Sequence, residues 1–244
     1  LWRPFQIGGK LEFLSRTKRM ISDKDIEKVN SKSVLVFGLG GVGGSLAESL
    51  VRAGIGEIGL VDGDEYEITN VNRQVFATMK TLGMRKVDAC QERLLDINPN
   101  LFVKKYDLFV TEENIKDIDF ENYDYVVDAI DTITSKLLII REAYDNNIKI
   151  ISAMGAGNRL DPTKFKIMDI EKTKNDPVAR IMRKKLNEMN IKKLKVVCSE
   201  ELPIKTSDRT PGSISFVPPV CGMVLASYVI TDILKSWNEV KKNI

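Results

Sequence analysis

Residues 33–44 read SVLVFGLGGVGG, and this run constrains the fold more than any other part of the chain. A short β-branched segment ending in glycine has the composition of a buried parallel strand, here Ser33–Gly38. Gly38, Gly40 and Gly43, with Gly41 between them, then match G-x-G-x-x-G ahead of a helix over Val42–Ala53. Leu46, Leu50 and Val51 fall on one face of that helix, and Gly54 marks its end. Glycines so placed allow a tight turn and let backbone N–H groups approach phosphates at a helix N-terminus. With a second strand over Glu57–Asp62 the segment forms a βαβ unit, which requires parallel strands.

The rest of the chain continues the alternation. Lys80–Ile97 reads as helix stopped by Pro99, Leu101–Phe109 as a third strand and Asp124–Asp128 as a fourth. Ser135–Asn146 reads as helix and Lys149–Ala153 as a fifth strand. The expected fold class is α/β: a Rossmann-like, doubly wound, mostly parallel sheet with a C-terminal elaboration of strands and helices. In the elaboration, Asn158–Ile170 carries a turn and edge strands, and Pro177–Lys195 a basic helix. Lys195–Ser199 is a strand, Thr206–Gly212 a polar loop, and Pro219–Trp237 an apolar helix packed on the sheet. Residues 1–14 read as an N-terminal extension, in part added rather than native. Residues 15–244 read as one domain, in which 158–218 form an insertion facing RNA.

Composition narrows the chemistry. Hydrophobic residues make up 43% and charged residues 29% of 244, as in a globular chain. Net charge is only +3, so a nucleic-acid footprint must be local. No apolar run is expected to reach the roughly 18 residues that span a bilayer, and no secretory leader is evident. Three scattered cysteines, Cys90, Cys198 and Cys221, cannot build a four-cysteine zinc site, their odd number argues against a disulfide framework, and a reducing cytoplasm fits them. The absence of histidine removes Ser/His and Cys/His nucleophiles and the usual neutral-pH acid–base group. Chemistry must rest on carboxylates, cations, metal and positioning.

The candidates for that chemistry cluster after the second strand, in Asp62–Gln74 (DGDEYEITNVNRQ). Asp62 stands where an acidic residue accepts from ribose hydroxyls. Asp64 is either a further ligand or a solvated loop carboxylate. Arg73, following Asn70 and Asn72, can clamp phosphate oxygens and stabilise transition-state charge, or form a surface ion pair. Lys86 can reach phosphates as a point charge or be a solvated helix residue. At the end of the fourth strand, Asp131 is the better carboxylate for Mg²⁺ and Asp128 the structural one, capping the turn that follows. Cys198 invites a thioester or persulfide role but reads more simply as a buried strand residue.

GLGGVG, DGD…NVNRQ, Lys86 and DAID together resemble the superfamily of ubiquitin-activating enzymes and the bacterial adenylating enzymes of molybdopterin and thiamine biosynthesis. That resemblance implies adenylation of a carboxylate with Mg-ATP. It also implies roles for Gly40, Asp62, Arg73, Lys86 and Asp131 in holding ATP and Mg²⁺, with Arg19 (or Arg16) reaching into a partner subunit's site. The nucleotide set is then Gly38, Gly40, Gly41, Gly43, Asp62, Asp64, Asn70, Arg73, Gln74 and Lys86. Catalysis falls to Arg73, Lys86, Asp131 and Arg19, and metal binding to Asp131.

The opening SRTKRMI, the stretch from Ser152 to Leu186 and the tail from Pro211 to Leu234 are similar to the tRNA threonylcarbamoyladenosine dehydratase subfamily, from about Ser15 onward. The missing C-x-x-C pairs, usual in sulfur-carrier adenylating enzymes, favour the same subfamily. Asn158 departs from it where some relatives have glycine. The resemblance implies ATP-dependent cyclising dehydration of threonylcarbamoyladenosine in tRNA by a homodimer. A cysteine desulfurase or other sulfur-transfer protein is a further candidate partner. The basic helix fits an RNA substrate, with Arg180, Arg183, Lys184, Lys185, Lys192 and Lys193 facing the phosphates and Val178, Ile181, Met182, Leu186 and Met189 facing inward. An ordinary solvated face is the alternative. Two other functions stay open: adenylation of the C-terminus of a ubiquitin-like sulfur carrier, and a NAD-binding oxidoreductase or nucleotide sensor.

Overall fold

The computed structural model describes residues 11–207 and 210–234. Its elements are α1 (Asp23–Asn30), β1 (Ser33–Phe37), α2 (Gly41–Arg52), β2 (Glu57–Val61), α3 (Lys86–Ile97), β3 (Phe102–Tyr106) and β4 (Tyr125–Asp128). They continue with α4 (Ile133–Asp145), β5 (Lys149–Ala153), β6 (Phe165–Asp169), α5 (Pro177–Glu188), β7 (Lys195–Ser199) and α6 (Val217–Leu234). The described strands form one sheet in the order β3-β2-β1-β4-β5-β7-β6. All pairings are parallel except β6 with β7. The order reverses between β1 and β4, the point at which doubly wound sheets open a ligand crevice.

Both faces of the sheet are covered, so β1 is apolar at every position rather than alternating. Val34 and Val36 turn toward Leu46, Leu50 and the apolar face of α6, whereas Leu35 and Phe37 turn toward Phe120, Val126 and Ile139. A third cluster joins α5 to β7 through Met182, Leu186, Val196 and Cys198. Residues 158–218 extend the same sheet, because β7 pairs directly with β5.

The structure adjusts several boundaries for local reasons. The helix expected from Lys80 starts at Lys86, because the Thr81 hydroxyl accepts from Thr78 N and donates to Phe76 O, and Gly83 has φ +77°. The third strand stops at Tyr106, short of Phe109. The basic helix ends at Glu188, before left-handed Asn190, so Lys192 and Lys193 lie in a connection and Lys195 begins β7. Within Asn158–Ile170 a single edge strand, β6, forms. Asn158 has φ +56°, a backbone region that suits glycine or asparagine, and its carboxamide accepts from Gly212 N at 2.6 Å. That accounts for asparagine where some relatives carry glycine.

The expectation that no apolar run reaches bilayer length is overturned by α6, an 18-residue helix of mean hydropathy 1.6. Its apolarity matches its packing: a methyl at Gly222 would overlap Val42 O of α2, so the two helices touch backbone to backbone. Residues 1–10, Trp237 and the rest of the expected C-terminal helix after Leu234 lie outside the described residues.

Candidate active site

The parallel register brings the C-terminal ends of β2, β1 and β4 to one edge, with Phe37 opposite both Val61 and Asp128. Between Phe37 and α2 runs the glycine loop. Gly38 has φ +83°, and a Cβ there would lie 2.8 Å from Ala129 O. A Cβ at Gly43 would overlap Gly38 O, so the loop closes only with glycine at both positions. Gly40 occupies the N-cap of α2 and no side chain caps it. The first N–H groups of the helix and the positive end of its dipole are therefore presented to the crevice, as an anion requires.

Asp62 follows β2 and ties itself to this loop. Its carboxylate accepts from Leu39 N at 2.6 Å and from Asp64 N at 2.9 Å. Lys86, at the start of α3, is buried and lies 2.7 Å from Asp64 and 3.8 Å from Asp62. The expected carboxylates and lysine thus meet in one place. Two partners absent from the sequence reading steady them. Arg85 forks onto Asp107 and donates to Gly63 O at 2.7 Å, and Tyr66 donates to Leu39 O at 3.2 Å. Burial, reinforced by Cys90 and Asp62, holds the Tyr66 phenol well above its ordinary pKa, so it stays a neutral donor. The Arg85-Lys86 pair was the available signal, read only at its second member.

The turn through residues 68–76 delivers the next groups. Asn70 spends its side chain locally, accepting from Glu67 N at 3.2 Å, while its carbonyl receives Arg73 N and Gln74 N. It shapes the turn that carries Arg73. The Arg73 guanidinium donates to Thr69 O at 2.8 Å and Asn72 Oδ1 at 2.9 Å, and makes no ion pair among the described residues. Its Cγ lies 3.5 Å from where a Cβ on Gly41 would sit. The stem of an arginine with no ion pair among the described residues thus lies against the uncapped end of α2. Gln74 is buried against Gly40, and its Oε1 has no hydrogen-bond partner among the described residues. An unsatisfied polar atom at this position fits a site shaped for a polar ligand.

Across the crevice, Asp128 is fully buried and accepts from Ile130 N at 3.2 Å, the turn-capping role expected of it. It also pairs with buried Lys136 at 2.8 Å, a partner the sequence did not reveal. Asp131 is exposed in the loop after β4, its carboxylate 3.4 Å from Thr132 Oγ1 and otherwise open among the described residues.

Arg19 makes no hydrogen bond or ion pair with this group, and its segment is anchored at the other end of α2. Leu14 packs on Gly54 and Asn30 donates to Gly54 O at 3.1 Å, so both ends of that segment are fixed beyond the far end of α2. A helix of 12 residues separates that end from the glycine loop by about 18 Å.

On α5, Ala179, Met182 and Leu186 face inward, but Ile181 is 43% exposed, against expectation. Arg180 and Lys184 are exposed, as are Lys192 and Lys193 beyond the helix, and none of them has an ion pair among the described residues. Arg183 turns back onto the carbonyl and hydroxyl of Thr173, and Lys185 lies 3.3 Å from Glu188, so these two cations already have protein partners.

The bland reading of Cys198 holds. It is buried, and burial, reinforced by Asp176, pushes its thiol up to about 12. Burial does the same to Cys221, to about 12, and raises Cys90 well above the usual range. All three thiols are therefore expected to resist iodoacetamide at mildly alkaline pH in the native protein and to react together once it is unfolded in guanidinium. Mass spectrometry of the intact chain counts the adducts.

The ThiF family model matches residues 14–243. A tRNA threonylcarbamoyladenosine dehydratase of Bacillus subtilis (strain 168) is 40% identical over 243 residues, covering 92% of this chain and 96% of that protein. A protein of the same name in Escherichia coli (strain K12) is 38% identical over 170 residues, covering 70% of this chain and 63% of the relative. The crystal structure of E. coli tRNA N6-threonylcarbamoyladenosine dehydratase, TcdA, in complex with ATP superposes with a TM-score of 0.87 at 31% identity, covering 93% of this chain and 96% of that one.

Proposed function

The chain belongs to the ThiF family, and from that premise we propose that it is an ATP-dependent tRNA threonylcarbamoyladenosine dehydratase. The observation that carries this reading is Arg73, without an ion pair among the described residues, packing its stem against the uncapped N-terminus of α2. Such a pair of positive groups suits a reaction in which negative charge grows on a phosphate.

In this reaction the threonine carboxylate of the modified base attacks the α-phosphate of ATP, and pyrophosphate leaves. The carbamoyl oxygen then closes a ring on the activated carbonyl and expels AMP, so the base loses one water overall. An ionised carboxylate needs no general base, which fits a chain without histidine. The glycine-loop N–H groups, Arg73 and Lys86 hold the phosphates, Asp62 takes the ribose, and Gln74 fills the polar position beside Gly40. Ring closure is intramolecular, so holding the substrate in a reactive conformation supplies much of its rate.

Mg²⁺ fits the donor set. Among the described residues no group of three or more His, Cys, Asp or Glu could hold a metal unaided, and Mg²⁺ is commonly bound through one carboxylate, phosphates and water. The open carboxylate of Asp131 supplies that one ligand. The ion, when bound, offsets phosphate charge.

Exposed Arg180, Lys184, Lys192 and Lys193 form the cationic surface for the tRNA backbone. Lys184→Glu with Lys192→Glu and Lys193→Glu is expected to raise KM for tRNA and leave KM for ATP unchanged. The salt dependence of binding should weaken by about 0.7–0.9 in log–log slope per lost contact. Steady-state kinetics at several salt concentrations checks this.

Because the segment carrying Arg19 is anchored at the far end of α2, we assign Arg19 to the site of a second copy in a two-fold dimer. Mixing inactive Arg19→Ala and Arg73→Ala chains should then restore activity, since one site of the mixed dimer is intact. A sulfur-transfer protein could act here only by docking, because all three thiols are buried.

ATP–pyrophosphate exchange tests the reading. It should require tRNA bearing threonylcarbamoyladenosine. Exchange driven by a ubiquitin-like sulfur carrier without tRNA would replace it with the carrier-adenylating function.

A further inference from the structure

The ion pair between Lys136 and Asp128 is almost completely buried, with the lysine side chain 2% and the aspartate 0% exposed. Burying two charges is repaid by their attraction only where the geometry is good and further hydrogen bonds satisfy both groups, and apolar residues of similar size often serve a core equally well. The surroundings show what this geometry controls. Asp128 is the last residue of β4 and stands opposite Ser152 of β5. One carboxylate oxygen accepts from Lys136 Nζ at 2.8 Å and from the Ser152 hydroxyl; the other accepts from Ile130 N at 3.2 Å.

Those bonds hold both ends of the four-residue connection 129–132. At its start, Ala129 N donates to Phe37 O at 2.8 Å, and the backbone of Ala129 and Ile130 packs against Gly38. At its end, Lys136 N donates to Thr132 O at 3.0 Å, so the first turn of α4 is tied back to Asp128 through the lysine side chain. Asp131 lies between these anchors, and the one side-chain hydrogen bond it makes among the described residues is the long one to Thr132. Its direction therefore comes from the ends of the connection.

We infer that Lys136, acting through Asp128 and Ser152, is a positioning residue that aims the Asp131 carboxylate across the glycine loop. This rests on the reading of Asp131 as the Mg²⁺ ligand. Outer-sphere partners of this kind typically change metal affinity or activity by about 10- to 100-fold when lost.

The test separates positioning from folding. Lys136→Met alone leaves a buried carboxylate unpaired and should melt early. Asp128→Asn with Lys136→Met removes both charges and should recover most of the melting temperature. In that double variant, calorimetric titration with ATP in chelator should match the wild type. The Mg²⁺ concentration that half-maximally tightens ATP binding should rise by about 10- to 100-fold, with turnover falling alongside it. A folded double variant with the wild-type Mg²⁺ requirement overturns the inference. If the double variant does not fold, Ser152→Ala decides: a raised Mg²⁺ requirement supports the inference and an unchanged one overturns it. If wild-type ATP binding ignores Mg²⁺ altogether, the reading of Asp131 fails and takes the inference with it, an outcome visible before any variant is made.

Discussion

Arg73→Ala is expected to lower kcat for AMP release by about 100- to 1,000-fold, the usual effect of removing one donor that meets transition-state charge. The substitution is a clean probe because Arg73 supports little of the fold. Among the described residues its guanidinium reaches only Thr69 O and Asn72 Oδ1, and the turn beneath it is held by Asn70 and by backbone bonds. The melting temperature should barely move. Arg73→Lys should recover only part of the loss, since an ammonium cannot present two parallel donors to phosphate oxygens. Steady-state AMP release at saturating ATP and modified tRNA provides the measurement. An Arg73→Ala protein within a factor of about two of wild type would remove Arg73 from the chemistry.

The largest effect on stability is expected at Asp176. Its side chain is 0% exposed and lies 2.9 Å from Arg159, itself 1% exposed. Arg159 also donates to Gly155 O at 3.2 Å and to Glu201 O, so one guanidinium ties the end of β5 to the chain after β7. The other Asp176 oxygen caps α5 by accepting from Ala179 N at 2.8 Å. Asp176→Ala strands a buried cation, at a cost of about 3–5 kcal/mol, and removes a cap worth about 1 kcal/mol. Urea unfolding should report a loss in that range. Glu188→Ala, which deletes a half-exposed i,i+3 partner of Lys185, should change stability by less than about 0.5 kcal/mol.

These two residues also mark where sequence reading succeeds and where it stops. Arg73 was legible because it lies a short way after a strand end, and a parallel sheet collects such ends at one edge whatever the details of packing. β5 and β7 were legible to the residue because their apolar, β-branched runs are flanked by polar segments. The start of α3 was not, since Thr78, Thr81 and left-handed Gly83 hold residues 76–84 in turns that hydrophobic periodicity does not register. Arg159 with Asp176, and Lys136 with Asp128 and Ser152, were hidden for a different reason. Each pairing joins residues brought together only by tertiary packing; Ser152 meets Asp128 through the register of β5 against β4, which is settled only when the sheet forms. Ile181 shows the limit within a single helix: periodicity placed it inward, yet it is exposed, while Val178, Met182, Leu186 and Met189 pack on the core as expected.

The most direct test of the central claim is nucleoside mass spectrometry of tRNA incubated with the protein and Mg-ATP. One sample carries threonylcarbamoyladenosine and the other is the same tRNA without it. The modified nucleoside should lose one water, with AMP and pyrophosphate released in equal amount and no change in the unmodified sample. An unchanged modified nucleoside, from folded protein that binds ATP, would contradict that claim and point to a different carboxylate as the substrate.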